Sequence, residues 1–198
     1  VGLVFQDPEA QLFADTVLDD VAFGPRNLGV PAEDALEEAA AALARVGLPA
    51  EEFGERSPFA LSGGEARRAA IAGVLAMSPR YLLLDEPTAG LDASGRSAVR
   101  AIVRAERQRC GVVVVSHSAS EFLGEADRVV LLAGGGCAFE GPAAELIARP
   151  ALFDEAGLEA PDVLRIQQLA AENGAPLPRF SIDPDEAAAL LLAAGGWS

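Results

Sequence analysis

Three groups of residues in this chain have the types and spacing to do chemistry. Ser62-Gly63-Gly64 lack bulky side chains, so their backbone N–H groups can approach a phosphate closely. They stand where a helix begins, and a helix N-terminus favours an anion through its free amides and its dipole. Asp85-Glu86 close the apolar run Tyr81-Leu82-Leu83-Leu84. Two carboxylates at the carboxyl end of a parallel strand lie where open α/β sheets bind ligands. Asp85 is then placed to hold Mg²⁺ and Glu86 to polarise an attacking water. The third group is His117, the only histidine, which with Ser116 leaves a second apolar run, Val112 to Val115, on the same side. Each alone has a plain structural reading: a loop, a capped strand, a satisfied histidine. Their order and spacing together make the stronger signal.

The elements that position them are legible in the periodicity. Ala66, Ala70, Ile71, Val74 and Leu75 recur at helical spacing after Gly64, which predicts a helix to Met77 with Arg67 and Arg68 off its apolar face. Tyr81 to Leu84 and Val112 to Val115 are apolar at successive positions, the pattern of parallel strands buried on both faces. Val1 to Phe5 predicts a further strand, leading into Gln6-Asp7-Pro8. Thr16 can cap a helix that Gly24-Pro25 stops. Pro31 to Val46 predicts a second helix, with acidic residues in its early turns and Gly47 past its end. Ser94 to Arg109 is amphipathic, with Val99, Ile102 and Val103 inward. A short helix over Ser120 to Ala126 is followed by a strand, Arg128 to Ala133. Gly134-Gly135-Gly136 predicts a hairpin turn before Cys137 to Glu140. Short helices follow over Ala143 to Ala148, Ala151 to Ala156, Asp162 to Glu172 and Asp183 to Ala193, and the end from Gly195 to Ser198 is expected to fray.

In this order the motifs resemble the nucleotide-binding ATPase of ABC transporters. Leu61-Ser62-Gly63-Gly64-Glu65 looks like that family's signature, with Glu65 where the family often has Gln. Tyr81 to Glu86 looks like Walker B, and Ala89-Gly90-Leu91-Asp92 like the D-loop. The resemblance makes Gln6 the Q-loop glutamine, reaching Mg²⁺ and the attacking water, and His117 the switch histidine that contacts the γ-phosphate. It implies ATP and Mg²⁺ as ligands: Asp85 and Gln6 at the metal, and Glu86, His117 and Gln6 as the catalytic set. Ser62, Gly63, Gly64, Glu65 and Asp92 would contact nucleotide, the signature residues capping the ATP of a second ATPase subunit packed head to tail. The run Val4 to Phe13 resembles the energy-coupling-factor (ECF) branch, which imports vitamins and transition-metal ions. There the segment carrying Gln11, Leu12 and Phe13 touches a transmembrane coupling subunit; the alternative is that Leu12 and Phe13 pack under neighbouring helices. Leu158 to Val163 and Phe180 to Glu186 resemble the carboxyl-terminal extension of ECF ATPases, which helps two such subunits associate.

The implied fold class is α/β: a P-loop NTPase (ABC ATPase) parallel sheet with a helical signature subdomain over about residues 8–77. The expected domains are 1–141, the ATPase from the Q-loop onward, and 142–198, a helical extension. The implied location is peripheral, on the cytoplasmic face of the membrane. All 15 basic residues are Arg and the net charge is −15, which lacks the basic stripe of a nucleic-acid surface. A P-loop needs a lysine for the β- and γ-phosphates, and none stands in these 198 residues. With Val as its first residue and its first strand running straight into Gln6, the chain is expected to lack the N-terminal P-loop portion and to hydrolyse no ATP alone. Cys110 and Cys137 have neither metal-ligand spacing nor a disulfide framework and suggest reduced thiols. Three other readings stand beside this one: a soluble ABC ATPase acting on DNA or ribosomes, a generic importer ATPase for sugars or amino acids, and a catalytically incompetent partner subunit. The solute and the choice between homodimer and heterodimer are not written in the sequence.

Overall fold

Tyr81 to Asp85 form the middle strand of a parallel sheet because branched and aromatic side chains suit a pleated surface and both neighbours are equally apolar. In the computed structural model, which describes residues 1–7 and 11–195, β1 (Gly2–Val4), β2 (Tyr81–Asp85) and β3 (Gly111–Val115) lie in the order β1-β2-β3, all parallel. The register sets Leu3 beside Leu83 and Leu83 beside Val113. Pro8, Glu9 and Ala10 of the ECF-like run, and Gly196, Trp197 and Ser198 of the expected frayed end, lie outside the described residues.

The packing divides the chain into two compact units, Val1–Ser116 and His117–Ser198. In the first, α1 (Val17–Asn27), α2 (Ala32–Arg45) and α4 (Gly63–Ala76) pack on one another, with the short α3 (Ala50–Phe53) and a 3-10 turn over Pro58–Ala60 between the last two. Alanines at 35, 39 and 42 on α2 and at 66, 69, 70 and 72 on α4 are buried and let the helices approach closely. Gly24 leaves room for Met77 at the α1–α4 crossing, since a Cβ there would meet Met77 Cγ at 2.7 Å. Gly2 likewise lets α4 sit on the sheet; a Cβ would fall 2.3 Å from Val74 Cγ1. The helix α5 (Ala93–Glu106) links β2 to β3.

Three expectations are corrected. Gly24-Pro25 does not stop α1, which runs through to Asn27 with Pro25 inside it. In the last turn a proline forfeits only one main-chain bond, and the N–H of Leu28 still reaches the carbonyls of Gly24 and Pro25. The strands β2 and β3 are not buried on both faces. Val4, Leu82 and Leu84 are sealed against the helices, whereas Leu3, Tyr81, Val113 and Val115 on the opposite face are exposed, Val115 by 55%. Side chains alternate along a strand, and among the described elements only one face of the sheet is covered. Arg67, expected off the apolar face of α4, is buried.

In the second unit, α6 (Ala119–Phe122) and a 3-10 turn (Leu123–Glu125) precede the antiparallel hairpin β4 (Arg128–Ala133) and β5 (Gly136–Pro142). Gly134 and Gly135 both have positive φ, 57° and 79°, the two-residue turn that matches strand twist; Gly136 belongs to β5 instead. Then come α7 (Ala143–Ile147), α8 (Ala151–Glu155), α9 (Asp162–Glu172) and α10 (Pro184–Gly195). Leu123, Leu131, Leu146, Phe153 and Leu164 form one core, so the hairpin and α7 to α9 stabilise each other. Buried Gln167 fastens α9 to the segment before α10: its Nε2 donates to the carbonyl of Ser181 at 2.7 Å and its Oε1 accepts the N–H of Ser181 at 3.0 Å.

Candidate functional site

The signature residues open α4. Ser62 is its N-cap, and Glu65 completes a capping box. The Glu65 N–H donates to Ser62 Oγ at 3.3 Å, and Glu65 Oε2 accepts the N–H and the hydroxyl of Ser62 at 2.8 and 2.6 Å. These hydrogen bonds hold the Glu65 carboxyl below the usual carboxylate range, helped by the charges of Arg68 and Arg56 and opposed by burial. A Cβ added to Gly63 or Gly64 would meet nothing within 4 Å. Packing among the described residues therefore does not call for glycine at either position.

At the other pole, β2 delivers Asp85 and then Glu86. The N–H of Glu86 extends the ladder one step, donating to the Val115 carbonyl at 2.9 Å, and its own carbonyl accepts the N–H of Ala89 at 3.1 Å. Glu86 has φ 45°, a left-handed conformation that costs an L-residue on the order of 1–2 kcal/mol. Asp92 Oδ1 caps α5 by accepting the N–H of Gly95 at 2.7 Å. Its carboxylate thus has a structural task in this chain.

Arg67 draws these segments together. It is 6% exposed. Its Nη1 donates to the Gln6 carbonyl at 2.6 Å and to the Glu86 carbonyl at 3.3 Å, and its Nη2 donates to the Ala89 carbonyl at 3.1 Å. The ends of β1 and β2 therefore meet at one guanidinium. Burial pulls the pKa of Arg67 down from its ordinary value, with the charge of Asp7 opposing. Sequence reasoning missed this residue although a signal existed: it precedes Ala70 and Ile71 by three and four positions, on the inward phase. His117 follows β3 by two residues, is exposed and begins the second unit.

The donor set suits magnesium. Among the described residues, no three His, Cys, Asp or Glu side chains gather into a metal cage. Magnesium is commonly held by one or two carboxylates, with phosphate and water completing its shell. Asp85, half-buried at the end of β2, offers that sparse set, and Gln6 follows the adjacent strand β1 by two residues.

After Gln6, Asp20 Oδ2 accepts the N–H groups of Phe13 and Ala14 at 2.7 and 2.8 Å, fixing that segment on α1. Gln11 Oε1 accepts the N–H of Phe5 at 3.2 Å. Leu12 is buried, while Phe13 and Phe23 are exposed and meet edge to face, with centroids 4.7 Å apart.

A parallel sheet with carboxylates at its carboxyl end and a capped Gly-Gly helix beside it matches known proteins. Residues 1–89 match the ABC transporter family, and the chain belongs to the ATP-binding proteins of that family. It is 45% identical to the energy-coupling factor transporter ATP-binding protein EcfA2 of Latilactobacillus sakei over 193 residues, 96% of this chain and 66% of the relative. Its identity to the EcfA2 protein of Symbiobacterium thermophilum is 47% over 192 residues, again 96% of this chain and 66% of that one. Among solved structures, cbiO1 from Clostridium perfringens, described as part of the ABC transporter complex cbiONQ, aligns with TM-score 0.69 at 32% identity. That alignment covers 84% of this chain and 66% of cbiO1. The chain thus spans 66% of the length of the curated relatives it matches. Among the described residues, no helix is long and apolar enough to cross a membrane.

Proposed function

We propose that this chain supplies the hydrolytic residues of an ATPase subunit that energises uptake of a vitamin or transition-metal ion through an ECF-type membrane transporter. What supports the ECF reading is the identity of 45–47% to two EcfA2 proteins. The observation that carries the chemistry is the convergence of Gln6, Glu86 and Ala89 on Arg67, at the carboxyl end of the sheet and one and a half turns along α4 from Ser62.

Asp85 and Gln6 hold Mg²⁺, which when bound neutralises charge on the phosphates. Glu86 orients a water and accepts its proton as oxygen attacks the γ-phosphorus, giving ADP and phosphate. His117 reads the γ-phosphate. Ser62, Gly63 and Gly64 turn the amino end of α4 toward ATP held by a second ATPase subunit, where free amides favour the anion. Glu65 shapes that turn through the capping box. Exposed Phe13 and Phe23 present an apolar surface to a transmembrane coupling subunit, with Gln11 and the buried Leu12 preceding Phe13 in the chain. The protein then works at the cytoplasmic face of the membrane.

The test is Glu86→Gln in the full natural chain assembled with its partners. The amide keeps the shape but cannot take the proton. ATP binding should persist while turnover falls about 10²–10⁴-fold, the usual worth of a general base. Turnover within a factor of two of the unsubstituted protein would show that another group is the base.

A further inference from the structure

Arg67 is placed where an arginine is costly. Its guanidinium is buried on α4 against three neutral carbonyls, and among the described residues its Nε is buried with no partner. Taking a charge out of water is unfavourable unless its hydrogen bonds are well replaced, and an apolar side chain of similar volume is often at least as stabilising in such a place. Packing alone does not explain an arginine here, and conflicts of this kind concentrate at functional sites.

What it grips is informative. The three acceptors belong to two separate segments: Gln6 after β1, and Glu86 with Ala89 in the turn that leads from β2 to α5. The peptide after Glu86 joins it to Pro87 and has no N–H. Its carbonyl is therefore the only polar handle by which that peptide can be oriented, and Arg67 Nη1 and the Ala89 N–H both hold it. That peptide also adjoins the left-handed φ of Glu86, a conformation that persists only where the surroundings over-determine it.

We propose that Arg67 is a positioning residue for hydrolysis. It fastens the main chain of Gln6, Glu86 and Ala89 to α4, so that the helix carrying the signature at its amino end also sets where the Glu86 carboxylate stands. A tilt of α4 is thereby transmitted to Glu86 without any side chain touching nucleotide. The proposal rests on the reading of Glu86 as the group that activates water.

The experiment uses the full natural chain in its assembled complex, with Arg67→Lys and Arg67→Gln made alone and combined with Glu86→Gln. Steady-state kcat and KM for ATP are measured beside the thermal midpoint of each sample. A lysine ammonium cannot span three carbonyls, and a displacement near 1 Å can cost as much as about 100-fold in rate. Arg67→Lys should lower kcat at least about tenfold with KM changed less than about threefold. In the Glu86→Gln background the same substitution should change the residual turnover less than about twofold, since the carboxylate it positions is gone. Equal losses in both backgrounds mark a merely structural arginine and overturn the proposal, as does wild-type kcat in Arg67→Lys. Amide exchange on the unsubstituted protein gives an answer even where a variant fails to fold. The amides of Glu86 and Ala89 should open together with the second turn of α4, and independent opening refutes the clamp. Wild-type turnover in Glu86→Gln alone would overturn the reading of Glu86 itself. An inactive Glu86→Gln beside an unimpaired Arg67→Lys would sink only the role of Arg67.

Discussion

Arg45 ends α2 and Glu106 ends α5, and the ion pair between them joins the helical layer to the helix that follows the D-loop. Glu106 is 2% exposed. Arg45 Nε donates to its Oε1 at 3.0 Å, and Arg45 Nη2 meets its Oε2 in a second, parallel contact. Arg45→Met keeps the stem and removes the charge, leaving a carboxylate buried without its partner. Such breakage typically costs about 3–5 kcal/mol. Arg45 is partly exposed, so water can enter from its side, and a value of about 3 kcal/mol is expected. Glu106→Leu leaves an arginine that can turn toward solvent and should cost about 1–2 kcal/mol. With both replaced, no charge is stranded, and the double variant should lie within about 1 kcal/mol of the original. Urea unfolding followed by circular dichroism measures all three. With a slope of about 2 kcal/mol per molar, Arg45→Met moves the midpoint down by about 1.5 M. A shift under about 0.3 M for Arg45→Met would refute the reasoning, and so would a double variant as unstable as that single one.

Two further predictions concern the capping box and the carboxyl-terminal helices. The carboxyl pKa of Glu65 is depressed in the folded chain, so its contribution is fully present above its ordinary value of 4.5 and is lost as pH falls through the lower folded value. Glu65→Gln should therefore destabilise by about 0.5–1 kcal/mol near neutrality and by progressively less as pH falls below 4.5; a difference in thermal midpoint that ignores pH would refute this. On α9, Ile166 and Leu169 share one face and are 55% and 50% exposed, whereas Leu164 of the same helix lies in the core. Replacing both exposed residues by Glu should halve the mass seen by light scattering while leaving helix content intact. An unchanged mass would make that face a solvated surface only.

The strands and long helices were legible because their signals are local. Consecutive apolar residues mark β2 and β3, and the 3.6-residue period marks α4 and α5 to within a few residues. The order of the Ser-Gly-Gly and Asp-Glu motifs sufficed for the family. What stayed hidden were charges spent on the interior. Arg67, Glu106 and Asp20 look like surface residues by type, and only their helical phase betrays them: Glu106 follows Ile102 and Val103 by four and three positions, as Asp20 follows Val17 by three. For two of them a partner lies far along the chain, 61 residues away for both Arg67 with Gln6 and Arg45 with Glu106, and no short window of sequence contains both ends. The exposed face of the sheet was hidden for a related reason. An apolar residue announces that it can be covered, while whether anything covers it is decided by the rest of the fold. The passage of α1 through Pro25 shows the same limit, since what a proline costs depends on how much helix remains after it.

The left-handed backbone at Glu86 sets two selections against each other. Glycine takes φ 45° without penalty, and asparagine takes it more easily than most residues. A library screened for heat resistance alone should therefore drift away from glutamate at position 86 and register the change as an improvement. A library screened for solute uptake should restore the glutamate every time. Sequences optimised for expression or shelf life are for that reason poor guides to this position, because the residue that best suits the main chain is not the one that, under the proposed function, activates the water.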